Sequence, residues 1–106
     1  LGGAKTLIAK AKSNIISQSI MGEGNTLGIR IPDNTFCNSL SAKFGKPITS
    51  TSVNRTSSAP LNDPELIISE FGNEIDLLVN AGTLTSGKGS TVYKLNDDNS
   101  IDILRD

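Results

Sequence analysis

Apolar and polar positions alternate most cleanly along Thr26-Leu27-Gly28-Ile29-Arg30-Ile31. A strand there places Leu27, Ile29 and Ile31 on one face and Thr26, Gly28 and Arg30 on the other. Pro32-Asp33 breaks that strand and offers an N-cap for a helix. The helix runs to Phe44, because Phe36, Leu40 and Phe44 recur every four residues on one face and Gly45 can close the end. Upstream, Thr6-Leu7-Ile8-Ala9 reads as a short strand after a glycine turn, and the polar stretch 12–25 ends in a Gly22-Glu23-Gly24-Asn25 loop.

The second half of the pattern is shorter-ranged. Pro47-Ile48-Thr49-Ser50-Thr51 suggests a strand, followed by a polar loop from Ser52 to Asn62. Asn62 or Asp63 caps another helix with Pro64 in its first turn, where a missing N–H costs nothing. That helix carries Leu66, Ile67 and Phe71 inward and stops at Gly72. Ile75-Asp76-Leu77-Leu78-Val79 reads as a buried strand, and Gly82 to Gly89 as a loop bearing Thr83, Thr85, Ser86 and Lys88. Thr91–Leu95 and Ile101–Leu104 form a hairpin across Asn96-Asp97-Asp98-Asn99. The expected fold is α/β of the mixed α+β kind, a twisted open sheet with flanking helices, in one domain.

Composition narrows the chemistry. The 106 residues suffice for a single core, and with 4% aromatics that core rests on Ile, Leu and Val. The lone Cys37 excludes an internal disulfide and is expected to pack beside Leu40 as a small hydrophobe. With no His, the commonest general base and metal ligand is missing, and no protein-bound metal is expected. No apolar run reaches the roughly 20 residues that cross a bilayer, and no signal peptide is visible, so no membrane association and a cytoplasmic setting are expected. The abrupt start at Leu1-Gly2-Gly3 looks like a cut. Net charge is −1, but seven of the ten Lys and Arg residues lie in positions 1–55, facing two carboxylates there. That asymmetry fits an anion-binding face or simple chance.

Three segments are rich in hydrogen-bond donors. Thr26 and Arg30 share a strand face, roughly 13 Å apart along an ideal strand, and a strand-held arginine can grip a carboxylate or phosphate bidentately; a solvated surface arginine is the plainer alternative. Thr49-Ser50-Thr51-Ser52-Val53-Asn54-Arg55-Thr56 runs into a hydroxyl-rich turn able to surround a phosphate oxygen, or merely to satisfy its own backbone. Gly87-Lys88-Gly89-Ser90-Thr91 has the residue types of a P-loop. Gly89 stands where a Ser or Thr must follow the lysine, and a strand follows where a helix should, so the P-loop is rejected.

In order and spacing, these segments resemble the YrdC-like family of threonylcarbamoyl-adenylate synthases. The family's T-x-G-x-R-x-P stands as Thr26 to Pro32, and its P-[IL]-x-x-[TP]-S-[AV]-N as Pro47 to Asn54. Its G-x-x-S-T-[VI] stands as Gly87 to Val92, and its terminal I-L-R as Ile103-Leu104-Arg105. Leu1 to Thr6 looks like a variant of the stretch that opens the family's second half. The resemblance covers essentially the whole chain, which reads as a partial YrdC-like domain lacking the family's N-terminal part.

The resemblance implies a nucleotidyltransferase that makes threonylcarbamoyl-AMP and pyrophosphate from ATP, bicarbonate and L-threonine, for threonylcarbamoyladenosine modification of tRNA. ATP enters as a substrate carrying its Mg2+. Arg30, Ser50 and Ser90 would bind threonine; Thr26, Ser52, Asn54 and Arg105 would bind ATP; no catalytic general base is assigned. Two departures stand out. Thr56-Ser57 replaces the family's serine-glycine, which alters the expected turn, and the absent N-terminal part carries a Lys/Arg motif for the triphosphate. The isolated chain is therefore expected to be inactive, with that missing part as a partner. Three alternatives remain open: a YrdC-type module that binds tRNA or other RNA through basic residues before Arg55, the related carbamoyl transfer of hydrogenase maturation, and a structural remnant.

Overall fold

A computed structural model describes residues 1–84 and 89–106, so Thr85, Ser86, Gly87 and Lys88, with the readings placed on them, lie outside the described residues. The chain divides into two compact units, Leu1–Pro47 with Gly89–Asp106, and Ile48–Lys88.

The first unit is built on a four-stranded sheet in the order β2-β1-β3-β4, from β1 (Lys5–Lys10), β2 (Thr26–Ile29), β3 (Thr91–Leu95) and β4 (Ile101–Arg105). β1 pairs antiparallel with β2 and parallel with β3, and β3 pairs antiparallel with β4 across the expected hairpin. The sheet is thus mixed, with the first strand of the chain at its centre. A register irregularity between Val92 and Tyr93 sets Val92 opposite Arg105 and Tyr93 opposite Ile103. Bulges of this kind re-aim a side chain at the end of a strand, and here that side chain is Arg105. A single 3-10 turn, Gln18–Ile20, interrupts the polar stretch between β1 and β2, with the Ser17 hydroxyl accepting from the Ser19 N–H.

Helix α1 covers Thr35–Phe44. Its N-cap is Asn34, one residue beyond the expected Asp33: the Asn34 side chain accepts from the Cys37 N–H at 2.9 Å. Gly45 closes the helix in the left-handed region at φ 73°, where a Cβ is costly. The apolar stripe of α1 does not do what its period implied. Phe36, Leu40, Phe44 and Cys37 are all exposed, and no strand packs substantially against the helix. The helix is amphipathic, but the surface it is shaped for is not in this unit, and Cys37 does not pack as a core residue.

The second unit holds α2 (Pro64–Phe71), capped as read: the Asp63 side chain accepts from the Glu65 N–H, Pro64 opens the first turn and Gly72 ends the helix. Pro64 is buried there, and Ile67 and Phe71 are half-buried, while Leu66 points out to solvent. The expected strands at 47–51 and 75–79 are absent. Both segments are irregular, and Ile48, Ile75, Leu77 and Val79 are exposed. A strand exists only by pairing with another edge, and these extended apolar segments have no such edge among the described residues. The unit is held instead by bonds such as Leu61 N–H to the Val53 carbonyl and Leu84 N–H to the Asn62 carbonyl. Across the described residues no apolar side chain is fully buried.

Candidate functional site

In the sheet unit, Ser90, Arg105 and Arg30 lie at one end of the sheet. Ser90, directly before β3, is the only buried polar residue among those described. Its hydroxyl lies 2.6 Å from the Thr6 hydroxyl on β1. Arg105, at the end of β4, donates Nε and Nη2 to the Ser90 carbonyl at 3.1 and 2.8 Å, with Nη2 also 3.4 Å from the Ser90 hydroxyl. The guanidinium can lie there because Gly89 has no side chain: a Cβ at that position would sit 3.0 Å from Arg105 Nη2. A serine is therefore fixed in place by three strands, with a guanidinium laid against it.

The β1–β2 register pairs Leu7 with Ile29 and Ile8 with Gly28. Its continuation sets Arg30, one residue past the end of β2 and exposed, level with Thr6. Arg30 thereby joins the end of the sheet that carries Ser90 and Arg105. Thr26 does not. It pairs with Lys10 at the other end of β1, four strand steps or about 13 Å from the level of Thr6. Its hydroxyl donates to the Glu23 carbonyl at 2.9 Å, and it lines a shallow hollow with Lys10, Lys94 and Asp97. Arg105 and Ser90, assigned to different substrates in the sequence, are in direct contact.

In the other unit, Ser50 and Ser52 lie exposed on the irregular segment leading into the turn. Asn54 braces that turn: its amide nitrogen donates to the Arg55 and Ser58 carbonyls at 2.9 and 3.0 Å. Its Oδ1 is enclosed and has no partner among the described residues. An amide oxygen only accepts, so Oδ1 suits a ligand N–H or O–H and not a phosphate oxygen. Ser57 stands where the resemblance places glycine and keeps a left-handed φ of 68°. The turn thus retains a backbone shape that glycine adopts more easily.

Arg55 is engaged within its own unit. Its guanidinium grips the Glu74 carboxylate with both Nη1 and Nη2, donates to the Glu70 carbonyl at 3.2 Å and lies 4.3 Å from the centre of the Phe71 ring. The hydrogen bond from Arg55 holds the Glu74 carboxyl below its usual range, and the same bond raises the Arg55 pKa. Through Arg55 the hydroxyl turn is tied to α2.

The sequence missed Thr6 and Gly89 as site residues. The signal for Thr6 was its period-2 phase with Ile8 and Lys10, which sends it to the face shared with Thr26, Gly28 and Arg30. The role of Gly89 depends on the β3–β4 register, which no local pattern encodes. Among the described residues no cluster of three potential metal ligands occurs, and no helix is long and apolar enough to cross a membrane.

Comparison with known proteins shows the family. A family model described as "Telomere recombination", that of the Sua5, YciO and YrdC proteins, matches residues 1–106. The chain belongs to the Sua5/YciO/YrdC family. It is 30% identical over 100 residues to "Uncharacterized protein YciO" of Escherichia coli K12, which covers 93% of this chain and 48% of the relative. It is 29% identical over 102 residues to a protein named threonylcarbamoyl-AMP synthase from Serratia proteamaculans, covering 96% of this chain and 49% of that one. The crystal structure of E. coli YciO superimposes with a TM-score of 0.86 at 30% identity, over 99% of this chain and 50% of that chain. The YciO likeness establishes the mixed α/β fold with a four-stranded mixed sheet and two helices. The chain spans about half the length of the curated relatives it matches.

Proposed function

We propose that this chain carries substrate-binding elements of a threonylcarbamoyl-AMP synthase, acting on ATP with its Mg2+, bicarbonate and L-threonine in the tRNA-modification chemistry of its family. The observation that carries this reading is the fixed end of the sheet, where Thr6, Ser90 and Arg105 are bonded together and Arg30 stands level with them. Arg30 supplies the guanidinium for the threonine carboxylate, with the Ser90 and Ser50 hydroxyls serving that substrate. Arg105, Thr26, Ser52 and the turn braced by Asn54 serve ATP. In the reaction, a carbamate oxygen of N-carboxythreonine attacks the α-phosphorus and pyrophosphate leaves with the electron pair of the broken P–O bond. Such a step needs alignment and neutralised oxygen charge more than a general base, which suits a histidine-free chain.

RNA binding has less support. Lys10 is paired with Asp97 at 2.8 Å, so one of the basic residues behind that reading already has a partner. Non-specific affinity for a polyanion grows with the number of phosphate contacts. Titrating tRNA at two salt concentrations should show no salt-dependent binding.

The synthase reading is tested by pyrophosphate release from ATP and bicarbonate, with and without threonine. The 106-residue chain alone should release none above background. A fusion carrying the part of E. coli YciO outside the match should show threonine-dependent release, with Arg30→Met raising the threonine KM at least about tenfold. Turnover by the isolated chain would overturn its assignment as an incomplete site. A cooperatively folded fusion whose turnover ignores threonine would overturn the substrate.

A further inference from the structure

Glycine inside a strand needs a reason. It weakens the strand, because it frees the unfolded chain and offers no side chain to pack. Where it stands, it marks a bulge, a tight bend or a place where a ligand or another backbone comes close. Gly28 is the one glycine within a strand among the described residues. The β1–β2 register runs through it without a shift, from Ala9–Leu27 to Ile8–Gly28 to Leu7–Ile29, so it makes no bulge and no break in pairing. Its φ is outside the left-handed region, unlike that of Gly45. Packing within the chain does not forbid a side chain there either. A Cβ on Gly28 would meet Thr6 Cγ2 at 3.6 Å and Ile8 Cγ1 at 4.0 Å, both ordinary van der Waals distances. Gly89 differs, since a Cβ there would crowd the Arg105 guanidinium. What remains for Gly28 is the close approach of something beyond the described residues.

Position and lining state the chemistry of that visitor. The strand phase puts Gly28 on the face of Thr26 and Arg30, two residues or about 7 Å from each. It is exposed, and it stands in one row with Ile8, which is half-buried. The two atoms bordering its Cβ position are both carbons, Thr6 Cγ2 and Ile8 Cγ1. Between a hydroxyl on one side and a guanidinium on the other, the face thus has an uncharged patch that is flat in the middle. A phosphate or carboxylate set against those carbons would lose water and gain no hydrogen bond. A flat ring gains dispersion contact across its whole face.

We propose that Gly28 is a specificity-determining residue, whose bare backbone forms, with Ile8 and the Thr6 methyl group, the floor on which the adenine ring of ATP lies. The choice of ring rests on the reading of ATP as a substrate, and it adds where the base, as distinct from the phosphates, is held. A side chain at position 28 would fit the strand and lift the ring off Ile8. Gly28 is therefore a place where the strand forgoes stability to keep a ligand surface flat.

The test titrates the 106-residue chain, and the YciO fusion beside it, with AMP and with ribose 5-phosphate, which share a sugar phosphate and differ in the base. AMP should move the Ile8 and Thr6 methyl resonances upfield through the ring current of adenine, and ribose 5-phosphate should leave them in place. Gly28→Val should weaken AMP binding at least about tenfold, as overfilling a fitted contact does, without altering the response to ribose 5-phosphate. Gly28→Ala separates the ligand from the fold. It should slow exchange of the Ala11 N–H, which donates to the Asn25 carbonyl at 3.0 Å, by about two- to fivefold as the strand gains stability, while AMP binding weakens. Unshifted methyl groups, an equal shift with ribose 5-phosphate, or undiminished AMP binding by Gly28→Val would each overturn the proposal. Faster exchange in Gly28→Ala would also overturn it, since the chain itself would then need the glycine. Threonine-dependent turnover by the fusion with unshifted methyl groups would remove the adenine floor and leave the synthase reading standing. Turnover that ignores threonine, with the AMP shifts intact, would do the reverse.

Discussion

The two hydroxyl-rich segments of this chain are built to different standards. Ser90 is buried and is reached from three strands, by Thr6 on β1, by its own place before β3 and by Arg105 on β4. The turn at Ser52–Ser58 has no strand beside it in its unit among the described residues. It is braced from inside by Asn54 and tied to α2 by an exposed ion pair between Arg55 and Glu74. Sites on strands hold their geometry more closely than sites on loops, and loops open at lower free energy than sheet cores. The sheet end therefore has the features of a fixed anchor. The turn has those of a part that adjusts, and its restraint depends on salt and pH.

The strongest test of that contrast removes Arg105. Arg105→Ala leaves the enclosed Ser90 carbonyl without a donor, a loss of about 2 kcal/mol for a charge-assisted bond in a partly buried place. Exchange of the Thr91 N–H, which donates to the Ala4 carbonyl at 2.9 Å, should quicken by about thirtyfold. Arg105→Lys should recover less than half of this, since an ammonium cannot reproduce two parallel N–H donors. Exchange of the Leu61 N–H in the other unit should not move. Equal changes in both would show that the sheet end and the turn do not differ in the way described.

How far such distinctions were legible in the sequence depends on how local their cause is. The C-cap at Gly45 and the Asp63–Pro64 start of α2 were readable because caps are set within a few residues. The hairpin was readable from alternation on either side of a polar turn. Pro47–Thr51 and Ile75–Val79 were also read as strands, and neither is one here. Hydrophobic pattern states which surface a segment needs, and it is silent on whether that surface is present. The same holds for Phe36, Leu40 and Phe44, whose period is correct and whose burial is absent. Arg30, Ser90 and Arg105 were found through family motifs, while Thr6 and Gly89 became visible only when the register brought β1, β3 and β4 together.

Smaller effects sharpen the picture on each side. Thr6→Val keeps the shape of the side chain and removes its bond to Ser90, which should cost about 1 kcal/mol and speed exchange at Thr91 about fivefold. In the turn the expected sign is reversed. Ser57 is held at φ 68°, a left-handed conformation that costs a residue with a Cβ about 1–2 kcal/mol. Ser57→Gly relieves that strain and gives back part of it through greater freedom of the unfolded chain. A net gain of about 0.5–1 kcal/mol should appear as slower exchange at Ser58, whose N–H donates to the Arg55 carbonyl at 3.0 Å. Faster exchange there would mean that the serine side chain contributes more than its backbone costs.

The smallest effect is the most selective, because it changes with pH only in the turn. The Glu74 carboxyl sits below its ordinary value of 4.5 because Arg55 donates to it. A carboxylate with a depressed native pKa adds stability that is complete above its unfolded value and disappears as pH falls through the native one. The tie between the turn and α2 should therefore hold at neutral pH and weaken as the solution is acidified through and below 4.5. Both partners are solvent-exposed, so the change is small and is reduced by added salt. Amide exchange itself varies with pH, and the quantity to follow is the Leu61 rate relative to that of Thr91. That ratio should rise on acidification in the native chain, rise less at high salt, and stay flat in Glu74→Gln, which has already lost the charge. If the ratio rises equally in Glu74→Gln, another group controls the turn and the Arg55–Glu74 pair is not its restraint.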